Sequence, residues 1–224
     1  MRMKTLLLVA ALAVTSLSLR SEEMYRQFQP ETTTRKLEST EWSIAYSFDS
    51  NNTTKPRILT IGDSICNGNH GLLRNKLAEK FTFSFWATSK CVTDKLFFKE
   101  LDLVLDANPA SVIVFNNGLH SLGTNRDEWK FAFAQALKFI KAKKPQAKLI
   151  VLESTPVANQ ANNEKVMEIN KLTNQVAKQE AVPVIPFFDV VTALGLDNLW
   201  SDGVHFTEQA RQKMTDYLAN ILLK

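Results

Sequence analysis

The sequence predicts an α/β fold, a three-layer α/β/α domain around a parallel sheet of five strands, on two observations. From Arg57 onward, short apolar runs of strand length alternate with stretches of helical pattern. That is the βαβ rhythm, whose right-handed connections set the C-terminal ends of the strands along one edge, where ligand crevices form. The second observation is length. Without a leader about 200 of the 224 residues remain, enough for one sizeable core and too few for two ordinary domains.

Taken in order, residues 1–20 read as an export signal. Arg2 and Lys4 precede an uncharged run from Thr5 to Leu19, and Ser16 and Ser18 supply small residues at signal-peptidase spacing. The run falls short of the about 20 residues a bilayer span needs, so cleavage and export to a periplasm or the exterior are expected, with no membrane span left afterwards. An uncleaved signal anchor is the alternative. Residues 21–56 are a polar extension in which Trp42, Ile44, Tyr46 and Phe48 alternate, the period of a strand or extended segment laid on the domain. Asn51 and Asn52 each begin an Asn-x-Thr sequon.

The domain proper is expected over residues 57–224. Strands are expected at Ile58 to Ile61, Phe81 to Trp86, Ser111 to Phe115, Lys148 to Leu152 and Val182 to Phe188, with helices near 71–80, 94–106, 127–143 and 163–180. A last helix from about Thr207 to Leu222, with Thr207 as N-cap, closes the chain. Hydrophobic residues at 45% and charged residues at 22% describe a globular protein, and a net charge of +4 without a dense basic run argues against nucleic-acid binding. Three histidines and no Cys-x-x-Cys suggest no metal site.

The chemistry-bearing residues stand in three separated segments. Ser64 lies in "RILTIGDSICNG" directly after a strand, "VIVFNNGLH" ends a second strand in paired asparagines, and Asp202 precedes His205 by three in "LWSDGVHFTEQA". A hydroxyl nucleophile, amide donors and an acid beside a histidine are the parts of a serine esterase. Gly203 between the two allows the Asp202 carboxylate to reach Nδ1–H of His205, leaving Nε2 for the serine. Alone, Gly-Asp-Ser is commonly a turn in which Asp63 bonds local backbone, and a lone Asp-x-x-His is commonplace; their joint order and strand-end placement give them weight.

In this order the blocks resemble those of the SGNH, or GDSL, hydrolases, a family of esterases, lipases, thioesterases and carbohydrate deacetylases. Gly62-Asp63-Ser64 matches its first block, and Asp202 with His205 its last. The resemblance spans roughly residues 57–224 and implies a flavodoxin-like sheet and a Ser64–His205–Asp202 triad. The third block, usually G-x-N-D, is here Asn116-Asn117-Gly118-Leu119-His120, which resembles an N-x-G-L-H variant. It makes Asn116 the first candidate for the side-chain oxyanion donor and Asn117 the second, beside the Ser64 N–H. The second block usually supplies a glycine N–H, but "FWATSKCVTD" holds no glycine, so Cys91 or Val92 is expected to supply it. A left-handed backbone there would strain Val92. The family fold also implies that Cys66 and Cys91 lie side by side, where an oxidising compartment would let them form a disulfide; two separate small hydrophobes are the alternative.

His120 and Asp63 are expected to line or tie down the cleft, and His70, in "NGNHG", to be a solvated loop residue. Ser154 to Val157, at a strand end, either shape the pocket or form a turn at Pro156. The function expected is that of an exported serine esterase acting without a cofactor on small O-acyl esters, acetylated carbohydrate first and lipid second, an order that the resemblance alone implies. Alternatives are a catalytically weakened glycan- or partner-binding protein, for which the glycine-free second block speaks, and an acyltransferase on the same triad.

Overall fold

The computed structural model describes residues 24–224; the export signal expected at residues 1–20 lies outside the described residues. The sheet has six strands rather than five. They are β1 (Ser43–Ser47), β2 (Arg57–Gly62), β3 (Thr82–Thr88), β4 (Val112–Phe115), β5 (Lys148–Leu152) and β6 (Val184–Ile185), in spatial order β1-β3-β2-β4-β5-β6. The five from β2 to β6 are parallel and keep the flavodoxin-like order. The added strand comes from the alternating aromatic segment, which pairs antiparallel to β3 with Ala45 opposite Trp86.

Among the described residues six α-helices cover the two faces: α1 (Ser64–Leu77), α2 (Lys95–Ala107), α3 (Arg126–Lys143), α4 (Gln160–Gln179), α5 (Phe187–Thr192) and α6 (Glu208–Leu222). Side chains alternate across the pleat, so each strand feeds two cores. Leu59, Ile61, Ile113, Phe115 and Val151 point to the layer of α2, α3 and α4. Ile58, Phe83, Phe85, Val114 and Ile150 point to the layer of α1, α5 and α6.

Two elements depart from expectation, each for a local reason. Helix α1 begins at Ser64 rather than near residue 71, despite Gly68 and Gly71 inside it. A helical glycine costs about 1 kcal/mol, whereas each fully buried leucine stabilises by about 1.5–3 kcal/mol. Leu73 and Leu77 are both buried, and the Asp63 side chain caps the first turn, so packing and capping win. The last strand is only Val184–Ile185, and Phe187 and Phe188 open α5 instead. Pro183 and Pro186 bracket it, and proline cannot donate to a ladder.

Candidate active site

The C-terminal end of β2 passes into α1 at Gly62, Asp63 and Ser64. A Cβ on Gly62 would lie 2.8 Å from Cys66 Cβ, so only glycine lets the strand turn this closely onto the helix. Asp63 is the N-cap, its carboxylate accepting the Ile65 N–H at 2.9 Å. Burial pushes the Asp63 carboxyl above its ordinary value, opposed by nearby His120 and by backbone N–H groups. Ser64 is the first helical residue, so its N–H is one of those without an intrahelical acceptor.

From the other end of the chain, His205 Nε2 meets Ser64 Oγ at 2.8 Å. His205 Nδ1 donates to Asp202 Oδ2 at 2.7 Å, and Asp202 Oδ1 accepts the N–H groups of Val204 and His205 at 2.9 and 2.7 Å. These hydrogen bonds, that from His205 foremost, hold the Asp202 carboxyl down at about 2. The turn needs Gly203, whose φ is +89°. It is anchored by the Ala158 N–H on Gly203 O at 2.8 Å, by a Trp200–Phe206 bridge, and by Thr207, the N-cap of α6 as expected. The carboxylate fixes the imidazole tautomer so that the Nε2 lone pair faces the serine hydroxyl, the arrangement required to remove its proton.

The second and third blocks differ from expectation. Asn116 donates both amide hydrogens inward, to Leu152 O at 2.8 Å and Ser154 Oγ at 3.1 Å, so it is not free to meet an oxyanion. Asn117 Oδ1 accepts the Val92 N–H at 2.9 Å, and its Nδ2 donates one hydrogen to Lys90 O at 2.8 Å. The Cys91 N–H goes to Asp94 Oδ2 at 2.8 Å. The backbone donors expected from Cys91 and Val92 are therefore engaged by side chains. The anticipated strain is also missing: among described non-glycine residues only Asp49 and Ala181 have positive φ. Side-chain acceptors hold this loop in ordinary backbone where glycine would otherwise be used.

The cysteines are free thiols rather than a disulfide. Cys66 joins the α1 layer, 3.4 Å from Thr60 Oγ1, while Cys91 lies in the core on the opposite face of the sheet, 3.0 Å from Ser121 Oγ. Sharing a sheet edge did not put them on the same side of it. Burial pushes the Cys66 thiol up to about 12 and raises that of Cys91 as well. His70 is likewise not a loop residue: it lies in α1, its ring stacked on Phe85 at 4.0 Å.

A cleft of about 140 Å³ opens at Ser64, with Leu119, Leu122, Val157 and Val204 as its apolar wall. His120 lines it, and so do Asn159 and Asn162, which the sequence did not single out. In the structure Asn159 is a helix cap, its side chain accepting the Asn162 N–H at the start of α4. Of the 154–157 segment, Val157 reaches this cleft, while Ser154 and Thr155 line a separate cavity of about 50 Å³ shared with Asp63 and Asn116. Among the described residues no group of three or more His, Cys, Asp or Glu side chains is placed to hold a metal ion.

Residues 60–213 match the model of the GDSL-like Lipase/Acylhydrolase family. The chain belongs to that family. It is a carboxylic ester hydrolase of the GDSL type with the family's α/β fold. No curated protein matches the sequence. Among solved structures it is similar to a GDSL-like lipase from Bacteroides thetaiotaomicron VPI-5482 (17% identity, 75% of this chain and 87% of that one, TM-score 0.58). It is also similar to a carbohydrate esterase family 3 protein from Talaromyces cellulolyticus (14%, 75% and 96%, 0.60). A third is an S10A mutant of an acetyl esterase, with acetate ion (15%, 75% and 96%, 0.62). At these identities the likeness is one of fold.

Proposed function

We propose that this GDSL hydrolase cleaves small O-acyl esters, acetyl esters of carbohydrate first, through a Ser64–His205–Asp202 triad, and that it does so after export directed by residues 1–20. The observation that carries the proposal is the continuous relay from Ser64 Oγ to His205 Nε2 at 2.8 Å and from His205 Nδ1 to Asp202 at 2.7 Å.

As Oγ attacks the acyl carbonyl, its proton passes to Nε2, which returns it to the leaving alcohol; a water then repeats the cycle on the acyl-enzyme. Two donors suit the oxyanion. One is the Ser64 N–H at the positive end of α1, and the other is the Asn117 Nδ2 hydrogen beyond the one given to Lys90 O. The cleft at about 140 Å³ is well below the roughly 300–1,000 Å³ of sites for drug-sized ligands, which favours a short acyl group over a long chain. The acetyl esterase and carbohydrate esterase among the similar folds support the same substrate class by analogy only. Among the described residues no helix is long and apolar enough to cross a membrane. The deciding experiment is hydrolysis of a chromogenic acetate by the purified protein beside Ser64→Ala; equal rates in the two would reject the assignment.

A further inference from the structure

The segment 33–42, read from sequence as a polar extension, is bonded both to the second-block loop, which Asn117 ties to the third block, and to His120 of the third block, which lines the Ser64 cleft. Arg35 is the centre of the first contact, its side chain only 3% exposed. Its Nη1 donates to Asp94 Oδ2 at 2.7 Å and its Nη2 to Ser89 O at 2.8 Å. Asp94 Oδ2 is the same oxygen that accepts the Cys91 N–H. Glu41 adds a carboxylate 3.1 Å from Arg35 Nη2 and accepts the Ser89 hydroxyl at 2.7 Å, while the Trp42 N–H donates to Ser89 Oγ at 2.9 Å and the Ser89 N–H to Trp42 O at 3.1 Å. The second-block loop is thus fixed from outside by an arginine fork, whose planar donors hold two acceptors in one geometry.

The second contact is to the third block. Glu38 Oε1 accepts from His120 Nδ1 at 2.5 Å, and the Trp42 ring meets the imidazole edge-on at 6.0 Å. His120 Nε2 has no hydrogen-bond partner among the described residues, so Glu38 is the polar tether of a ring that walls the Ser64 cleft. Asp94, His120 and their partners come from segments far apart in sequence, and residues 33–42 are where they meet.

We propose that residues 33–42 are a working part of the active site, in which Arg35 and Glu38 are positioning residues. Arg35 acts through Asp94 on the second-block loop, and Glu38 acts through His120 on the wall of the cleft. This rests on the esterase assignment above for its kinetic consequence and on the loop geometry for its structural one. A misplacement of about an ångström at supporting residues lowers turnover by up to about 100-fold without removing any reacting group.

The test uses the full chain with Arg35→Ala, Glu38→Ala and Glu38→Gln, assayed on a chromogenic acetate beside Ser64→Ala, with melting temperature and amide hydrogen exchange on each. Arg35→Ala and Glu38→Ala are expected to lower kcat by about 10–100-fold with KM little changed. Glu38→Gln is expected to recover most of it, since its amide oxygen still accepts the Nδ1 hydrogen. Exchange at the Cys91 and Val92 amides is expected to quicken at least about tenfold in Arg35→Ala while Ile58 to Ile61 are unchanged. Should Arg35→Ala not fold, the paired R35M/D94N removes both buried charges together and is assayed in its place. Wild-type kcat in Arg35→Ala and Glu38→Ala, equal loss in Glu38→Gln and Glu38→Ala, or unaltered exchange at Cys91 and Val92 would each overturn the proposal. A wild-type protein with no hydrolysis overturns the esterase assignment instead, and the exchange measurement still decides the role of Arg35.

Discussion

Ser64 Oγ and His205 Nε2 stand 2.8 Å apart although 141 residues separate them in the chain. One begins the first helix and the other precedes the last, and these two helices pack together on the same face of the sheet. Removing the hydroxyl leaves that packing untouched. Ser64→Ala is therefore expected to lower esterase turnover at least about 10³-fold with an unchanged melting temperature, and His205→Ala to cost far more than His70→Ala, whose ring stacks on Phe85 and Phe48 and bonds Asn67 O. Steady-state kinetics and thermal melts on the three variants check this.

Asp202 enters the pH response only at strongly acid pH. Its folded value of about 2 lies below the ordinary 3.8, so its contribution is complete above about 3.8 and is lost as pH falls through about 2. Activity lost between pH 7 and pH 4 is then not due to Asp202. A carboxyl ¹³C titration of the folded protein is expected to give a midpoint near 2; a midpoint at or above 3.8 would remove the Nδ1–carboxylate bond from the account.

The paired asparagines separate by role. Asn117→Ala is expected to reduce kcat by about 10²–10³-fold if its free hydrogen serves the oxyanion, the usual loss for one donor. Asn116→Ala leaves Leu152 O and Ser154 Oγ without their donor and is expected to cost about 1–3 kcal/mol of stability, with a smaller effect on kcat. Denaturant melts beside kinetics distinguish the two, and a reversed pattern would restore Asn116 as the donor.

The thiols give a fourth test. Cys91 is buried and Cys66 half-buried, and both are raised in pKa, so neither is expected to react with iodoacetamide at pH 8 in the native protein, whereas two free thiols appear on unfolding without reductant. Peptide mapping that finds Cys66 joined to Cys91 would contradict the opposite-face placement.

The strands and the two end blocks were legible because their signals are local: apolar runs at a fixed rhythm, a Gly-Asp-Ser turn, an Asp-x-x-His turn. What was not legible depends on partners distant in sequence. Nothing in "TRKLESTEW" announces that Arg35 meets Asp94 and Glu38 meets His120. Nor does loop order reveal which face of the sheet Cys66 and Cys91 occupy, because that depends on how each residue leaves its strand. Helix α1 starts ahead of its sequence pattern because Gly68 and Gly71 weaken that pattern, while the buried Leu73 and Leu77 that hold it act through tertiary contact.

The antiparallel strand β1 has a consequence beyond adding to the sheet. Every residue of β3 is buried, and without β1 its outer backbone groups would stand unpaired along a run of phenylalanine, threonine and tryptophan. An uncovered strand of that composition is a template for another chain. A fragment starting at residue 57 would retain Ser64, Asp202 and His205 and yet self-associate, seen as concentration-dependent light scattering that the full chain does not show. Ser43 to Ser47 thus act as a guard against aggregation, and shortening the chain past them costs solubility in addition to the contacts of residues 33–42.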